Sequence, residues 1–164
     1  MKINTKIMVR LALFAAISIV LGKFLQIPIG ESIRISFENL SLIFAGYLYG
    51  PVAGILCAVV ADLLGCLLKA YTVNPIITLG AAVIGLLAGL FGKKGVLKTP
   101  NLALAVATAH ISGSMIIKSI GLHIYYATPW VGLLPRIPIY LVVGITEYML
   151  IRVCLSHKGF KELL

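Results

Sequence analysis

Five basic residues, Lys23, Arg34, Lys69, Lys118 and Arg136, stand out for their chemistry. Ammonium groups and a bidentate guanidinium fork are the usual protein grips on carboxylates. Lys118 is the most telling of the five, because Met115-Ile116-Ile117 precede it and Ser119-Ile120-Gly121 follow it, so it does not lie in a polar loop. Aromatic side chains recur near these cations: Phe37, Tyr71, His123, Tyr125, Tyr126 and Trp130, the only tryptophan. Flat side chains beside fixed cations suit a ligand with a planar ring and more than one carboxylate. The competing reading is generic: cations near helix ends snorkel to headgroups, and aromatics form interfacial belts.

The composition says where such a site must be built. Of 164 residues, 60% are hydrophobic and only 12% charged, and the mean hydropathy is +1.08. Soluble domains carry about 25% charge, so an ordinary soluble enzyme, a disordered chain and a disulfide scaffold are all excluded. The chain reads as one integral membrane domain over residues 1–164, all-α, with room for six crossings of about 20 residues each. The three cysteines, Cys57, Cys66 and Cys154, lie in apolar runs without metal-ligand spacing and read as packing residues. The apolar run Leu11–Gly22 after Arg10 resembles a signal peptide, but no small-x-small cleavage site follows it, so it reads as an uncleaved first helix.

Breakers delimit the helices. Helix 1 is expected over roughly Ile7–Leu25, stopping at Pro28-Ile29-Gly30. Gly50-Pro51 divides the next uncharged stretch into a short helix 2, about Ser36–Tyr49, and a helix 3 from Val52 to about Ala70. Helix 4 follows Asn74-Pro75 and ends at Gly92-Lys93-Lys94-Gly95. Helix 5 is expected to start after Pro100 and run to about Tyr126, and helix 6 to start near Pro135 and end near Cys154.

Charge then orients the bundle. With the N-terminus inside, the inner segments carry Lys2, Lys6, Arg10, Lys93, Lys94, Lys98, Arg152, Lys158 and Lys161. The outer side has only the five cations above, so both termini are expected in the cytoplasm. The same bias accounts for a net charge of +9 without nucleic acid as a partner. Those five outer cations share one level. At 1.5 Å per residue, Lys69 lies about 25 Å along helix 3 and Lys118 at a similar height on helix 5. Because they gather there against the orientation bias, a shared anionic ligand accounts for them better than snorkelling does.

Deeper polar residues are few. Asp62 falls about 15 Å into helix 3, where a carboxylate is costly and marks either a site or a bond to a neighbouring helix. Glu38 and Asn39 open helix 2, as caps or as groups facing a ligand. His110, Ser114 and Lys118 are spaced i, i+4, i+8 and share a helix face. Glu147 is expected to pair with an inner cation. Ala12-x-x-x-Ala16, with Ala15 beside it, makes helix 1 flat, and Gly46-x-x-x-Gly50 and Gly85-x-x-x-Gly89 do the same elsewhere, most simply for internal packing. No Walker A loop, nucleophile elbow or zinc spacing is present, and the half-chains do not read as an inverted repeat. A ligand site without an engine points to a membrane-embedded binding subunit driven by a partner.

Longer motifs carry a family resemblance. They are Ile33-Arg34-Ile35-Ser36-Phe37-Glu38-Asn39-Leu40, Tyr49-Gly50-Pro51-Val52-Ala53-Gly54, Ala61-Asp62-Leu63-Leu64-Gly65, Tyr71–Gly80, His110–Lys118 and Leu134-Pro135-Arg136. With them the chain resembles, over nearly its whole length, the folate-specific substrate-binding subunit (S-component) of energy-coupling-factor vitamin transporters. The resemblance implies a six-helix bundle in the cell membrane that captures folate or a reduced folate from outside. It implies docking through Ala12, Ala15 and Ala16 on a transmembrane coupling protein powered by two cytoplasmic ABC ATPases, and no cofactor. Folate's glutamate tail is expected near Lys118, Arg136 and Lys69 or Arg34. Its pterin is expected near Phe37, Trp130 and Asp62 or Asn74, with Asn39 and His110 as further lining residues. A subunit for another anionic vitamin such as pantothenate, or a structural membrane protein without an outer site, are the alternatives.

Overall fold

A computed structural model describes residues 4–29, 33–92 and 99–157. Lys2, Lys93, Lys94, Lys98, Lys158 and Lys161, expected from the sequence on the inner side, and Gly30 lie outside the described residues. The described chain is helical apart from one small hairpin. Helix α1, Thr5–Ile19, starts where Asn4 accepts a hydrogen bond from the Ile7 amide at 3.0 Å, an N-cap. It continues without a break into a π-helical turn, Val20–Phe24. Strands β1, Ile27–Ile29, and β2, Ile33–Ile35, pair antiparallel with Pro28 opposite Arg34. Helices α2, Glu38–Tyr49, and α3, Pro51–Leu68, meet at Gly50, whose φ of 90° suits glycine, while Pro51 takes the first helical position.

Helix α4, Pro75–Gly92, is capped by Asn74, whose Oδ1 accepts from the amides of Ile76 and Ile77. The next apolar stretch, Pro100–Tyr126, is built from α5, Thr99–Thr108, a π-helical segment, Ala109–Ile117, and α6, Lys118–Tyr126. The last comprises a single turn α7, Trp130–Leu133, and the long α8, Arg136–Ser156. Five stretches are long and apolar enough to cross a membrane: Thr5–Phe24, Pro51–Leu68, Pro75–Gly92, Pro100–Tyr126 and Trp130–Ser156. Their outward surfaces carry Met8, Leu13, Leu67, Leu104, Val142 and Val153, as a hydrocarbon solvent permits. Helix α2 differs. Its 12 residues extend only about 18 Å, too little to cross about 30 Å of hydrocarbon unaided, and it is buried against its neighbours from Ser41 to Tyr47.

Helix α4 is the centre of the bundle, in contact with α2, α3, α5, α6 and the second π segment. Glycines permit this. A Cβ on Gly54 would run into the backbone of Gly85 and one on Gly85 into that of Gly54, while one on Gly89 or Gly92 would strike Pro51 or Tyr47. The glycine spacings therefore serve internal packing. Two features depart from a plain α bundle: the hairpin and the two π segments, of which the hairpin and the first π segment help to line a cavity.

Candidate functional site

At one end of the bundle, the first π segment, the hairpin, α2, α3, α4, α6 and α8 surround a cavity of about 110 Å³. Its charged lining is Lys23, Arg34, Lys118 and Arg136 against Glu38 and Asp62, which leaves two positive charges uncompensated. Tyr71, Tyr126 and Tyr140 supply aromatic walls, and Gln26, Ser36, Thr72 and Asn74 supply neutral polar groups.

The charges are held in pairs. Lys118 Nζ lies 2.6 Å from Glu38 Oε1, joining the second π segment and α6 to α2. Lys23 Nζ lies 4.0 Å from Asp62 Oδ1, and Asp62 Oδ2 accepts from Thr78 Oγ1 at 2.6 Å. Glycines make room for them. A Cβ at Gly22 would come within 2.6 Å of Glu38, one at Gly65 within 2.9 Å of Lys23, and one at Gly80 within 2.8 Å of Lys118. Lys23 sits in the first π segment, and Lys118 directly follows the second. π-Bulges recur at functional sites, and here one carries Lys23 and the other ends beside Lys118, two cations of the cavity.

The two arginines are placed differently. Arg34, on β2, is exposed, donates to Gln26 Oε1 at 3.2 Å and lies 5.4 Å from the Tyr71 ring centre. Arg136 opens α8 and is buried. Its Nη2 donates to the Ser114 carbonyl at 2.9 Å and to Tyr140 Oη at 3.3 Å, and its Nε has no acceptor among the described residues.

Of the residues singled out from the sequence, Arg34, Asp62, Asn74, Lys118 and Arg136 line this cavity. Asn74 spends its side chain on structure, since Nδ2 also donates to the Gly121 carbonyl at 3.0 Å. The other five lie outside the lining. Asn39 is buried behind it and donates to Ser114 Oγ at 3.0 Å. Phe37 occupies the turn before α2. Lys69 caps α3, with its ammonium 4.2 Å from the Phe24 ring centre, so local packing satisfies it. His110 is buried against Glu147, 2.7 Å away, and Glu147 therefore pairs with a histidine inside the bundle and not with an inner cation. Trp130 stands exposed, stacked on His123 at 4.4 Å, because α7 turns it outward. On α1, Ala12 and Ala16 are exposed but Ala15 belongs to the core. A helix cannot present i+3 and i+4 equally, and here the i+3 position turns inward.

Sequence reasoning left Lys23, Glu38, Tyr71 and Tyr126 outside the named site set and missed Tyr140 altogether. The i, i+4 spacing of Arg136 and Tyr140 and the glycines beside Lys23 and Lys118 were the available signals.

Fold and cavity together define a class: a helical binding protein of the membrane with a charged cavity at one end of its bundle. The chain belongs to the ECF transporter substrate-specific component family, whose model matches residues 6–156. It is thus a substrate-binding transporter subunit and not an enzyme. Among solved structures it is similar to FolT bound with folic acid, at 22% identity over 90% of each chain and a TM-score of 0.77. It is also similar to the S component of a bacterial ECF transporter, at 21% identity over 96% of this chain and 97% of that one, with a TM-score of 0.63. No curated protein sequence matches significantly.

Proposed function

We propose that this subunit binds folate or a reduced folate on the outer face of the cell membrane and delivers it inward. Delivery requires a transmembrane coupling protein and two cytoplasmic ABC ATPases, with both termini of this chain cytoplasmic and six helices in the bundle. The carrying observation is the cavity's charge: four cations against two carboxylates suit a dianion, and folate's glutamate tail has two carboxylates. Tyr71, Tyr126 and Tyr140 offer faces for a flat ring, and Asp62 and Glu38 are acceptors for ring N–H groups. The likeness to a folic-acid-bound structure supports the same cargo. Its low identity carries the fold, so the charge argument must carry the ligand.

Ligand pockets commonly measure about 300–1,000 Å³, against about 110 Å³ here. Enclosing a whole folate therefore requires the rim, formed by the hairpin with Tyr71 and Tyr126, to move outward. The deciding experiment is calorimetric titration of the purified chain in detergent with folate, pantothenate and thiamine. Saturation by submicromolar folate alone is the expected result. Heat with pantothenate alone would reassign the cargo, and heat with none of the three would discard the folate reading.

A further inference from the structure

The cavity's four cations are not equivalent, and their bookkeeping singles out one. Lys118 is 6% exposed, its ammonium is 2.6 Å from Glu38, and its stem fills the niche left by Gly80. Lys23 faces Asp62. Both lysines are thus matched by carboxylates of the chain itself. Arg34 sits on the exposed rim strand, where water competes for its donors.

Arg136 alone combines burial with missing countercharge. It is 7% exposed, yet no carboxylate lies within ion-pair distance of it among the described residues. A guanidinium has five N–H donors in a fixed fork. Among the described residues only Nη2 is bonded, to two neutral oxygens, and Nε is buried without an acceptor. Leaving a buried cation unpaired is costly, and an incoming anion relieves that cost where it is greatest. Tyr140 holds the fork from one side, with its ring 5.0 Å from the guanidinium, and is itself packed against His110 at 5.6 Å. The side chain is preorganised for a planar, two-oxygen partner.

We infer that Arg136 takes the ligand's tail carboxylate, whereas Lys118 is an internal counter-ion that keeps Glu38 in place. Arg136 is then the residue that makes the cavity prefer a ligand with a glutamate tail over one without it. This assignment rests on the folate reading above. The roles separate because Lys118 acts through Glu38 and Arg136 acts on the ligand directly.

The test compares folate with pteroate, the same ring system without glutamate, by calorimetry on the full chain in detergent. Arg136→Gln should shrink the preference for folate over pteroate by about ten- to hundredfold, the size of a lost charge-assisted bond. Lys118→Met should weaken both ligands alike and leave the preference, and adding Glu38→Gln to it, which removes the stranded charge but keeps an accepting oxygen, should recover part of the binding of both. Thermal unfolding without ligand gives an independent arm. Lys118→Met should lower Tm and Glu38→Gln should restore it, while Arg136→Gln should stay close to the parent, since it removes an unpaired buried charge. The inference is overturned if Lys118→Met abolishes the folate preference while Arg136→Gln keeps it, or if both single variants lose Tm equally. A parent chain that binds neither ligand removes the folate reading, and the Tm arm still decides the charge assignment.

Discussion

Glu147 is fully buried, and among the described residues its side-chain partner is the imidazole of His110, 2.7 Å from its Oε2. Removing one member of such a buried pair leaves the other without its hydrogen-bond partner, at a cost of about 1–3 kcal/mol. His110→Leu should therefore lower the unfolding temperature in detergent sharply. The double change His110→Leu with Glu147→Leu should recover most of that loss, because two apolar side chains need no partner. Asp62 obeys the same logic more mildly. Thr78→Val removes a 2.6 Å bond to its carboxylate, worth about 1.5–3 kcal/mol for a charged acceptor, and the same unfolding measurement checks it. At this scale the sequence was readable in part. Asp62, Lys118 and Arg136 were conspicuous because charge in an apolar helix needs a reason. Trp130 and His110 were as conspicuous, but a side chain's direction depends on neighbours that no local spacing reveals.

Helix boundaries followed the breakers closely, since a missing amide in Pro51 and a capping carboxamide in Asn74 act through the local backbone. Helix α4 starts at Pro75 because Asn74 bonds both Ile76 and Ile77. Asn74→Ala should cost about 0.5–2 kcal/mol from the cap alone, and more with the Gly121 bond gone, as thermal unfolding would report. Gly85→Leu has a larger expected effect: its side chain would enter the backbone of Gly54, so α3 and α4 must separate and the purified chain should lose its single sharp elution peak. The hairpin was not legible. Three-residue strands show no periodicity, and their pairing joins segments across an intervening loop. The π segments were equally hidden, because one extra residue per turn leaves no compositional mark.

At the scale of the whole molecule, membership in the ECF transporter substrate-specific component family makes the proposed dependence of uptake on partners testable on the surface of α1. Ala12 and Ala16 are exposed on one face of α1, where a flat surface allows close helix approach. Ala12→Trp and Ala16→Trp should leave folate affinity in detergent unchanged and abolish uptake into vesicles that contain the coupling module and ATP. Loss of binding in these variants would mean that the substitutions disturb the fold. Unimpaired uptake would move the docking surface elsewhere.

The amino-acid sequence by itself determined the solvent, the helices and the sign of the charge left over. Those follow from composition, breakers and apolar run lengths, all of which act along the chain. Only the tertiary structure decided which charges are already spent. Lys118 and Arg136 look alike in sequence, as isolated cations among apolar residues. They differ because α2 brings Glu38 to one of them, while no described carboxylate reaches the other. Pairing across 80 residues of chain is a property of packing, and no local pattern encodes it.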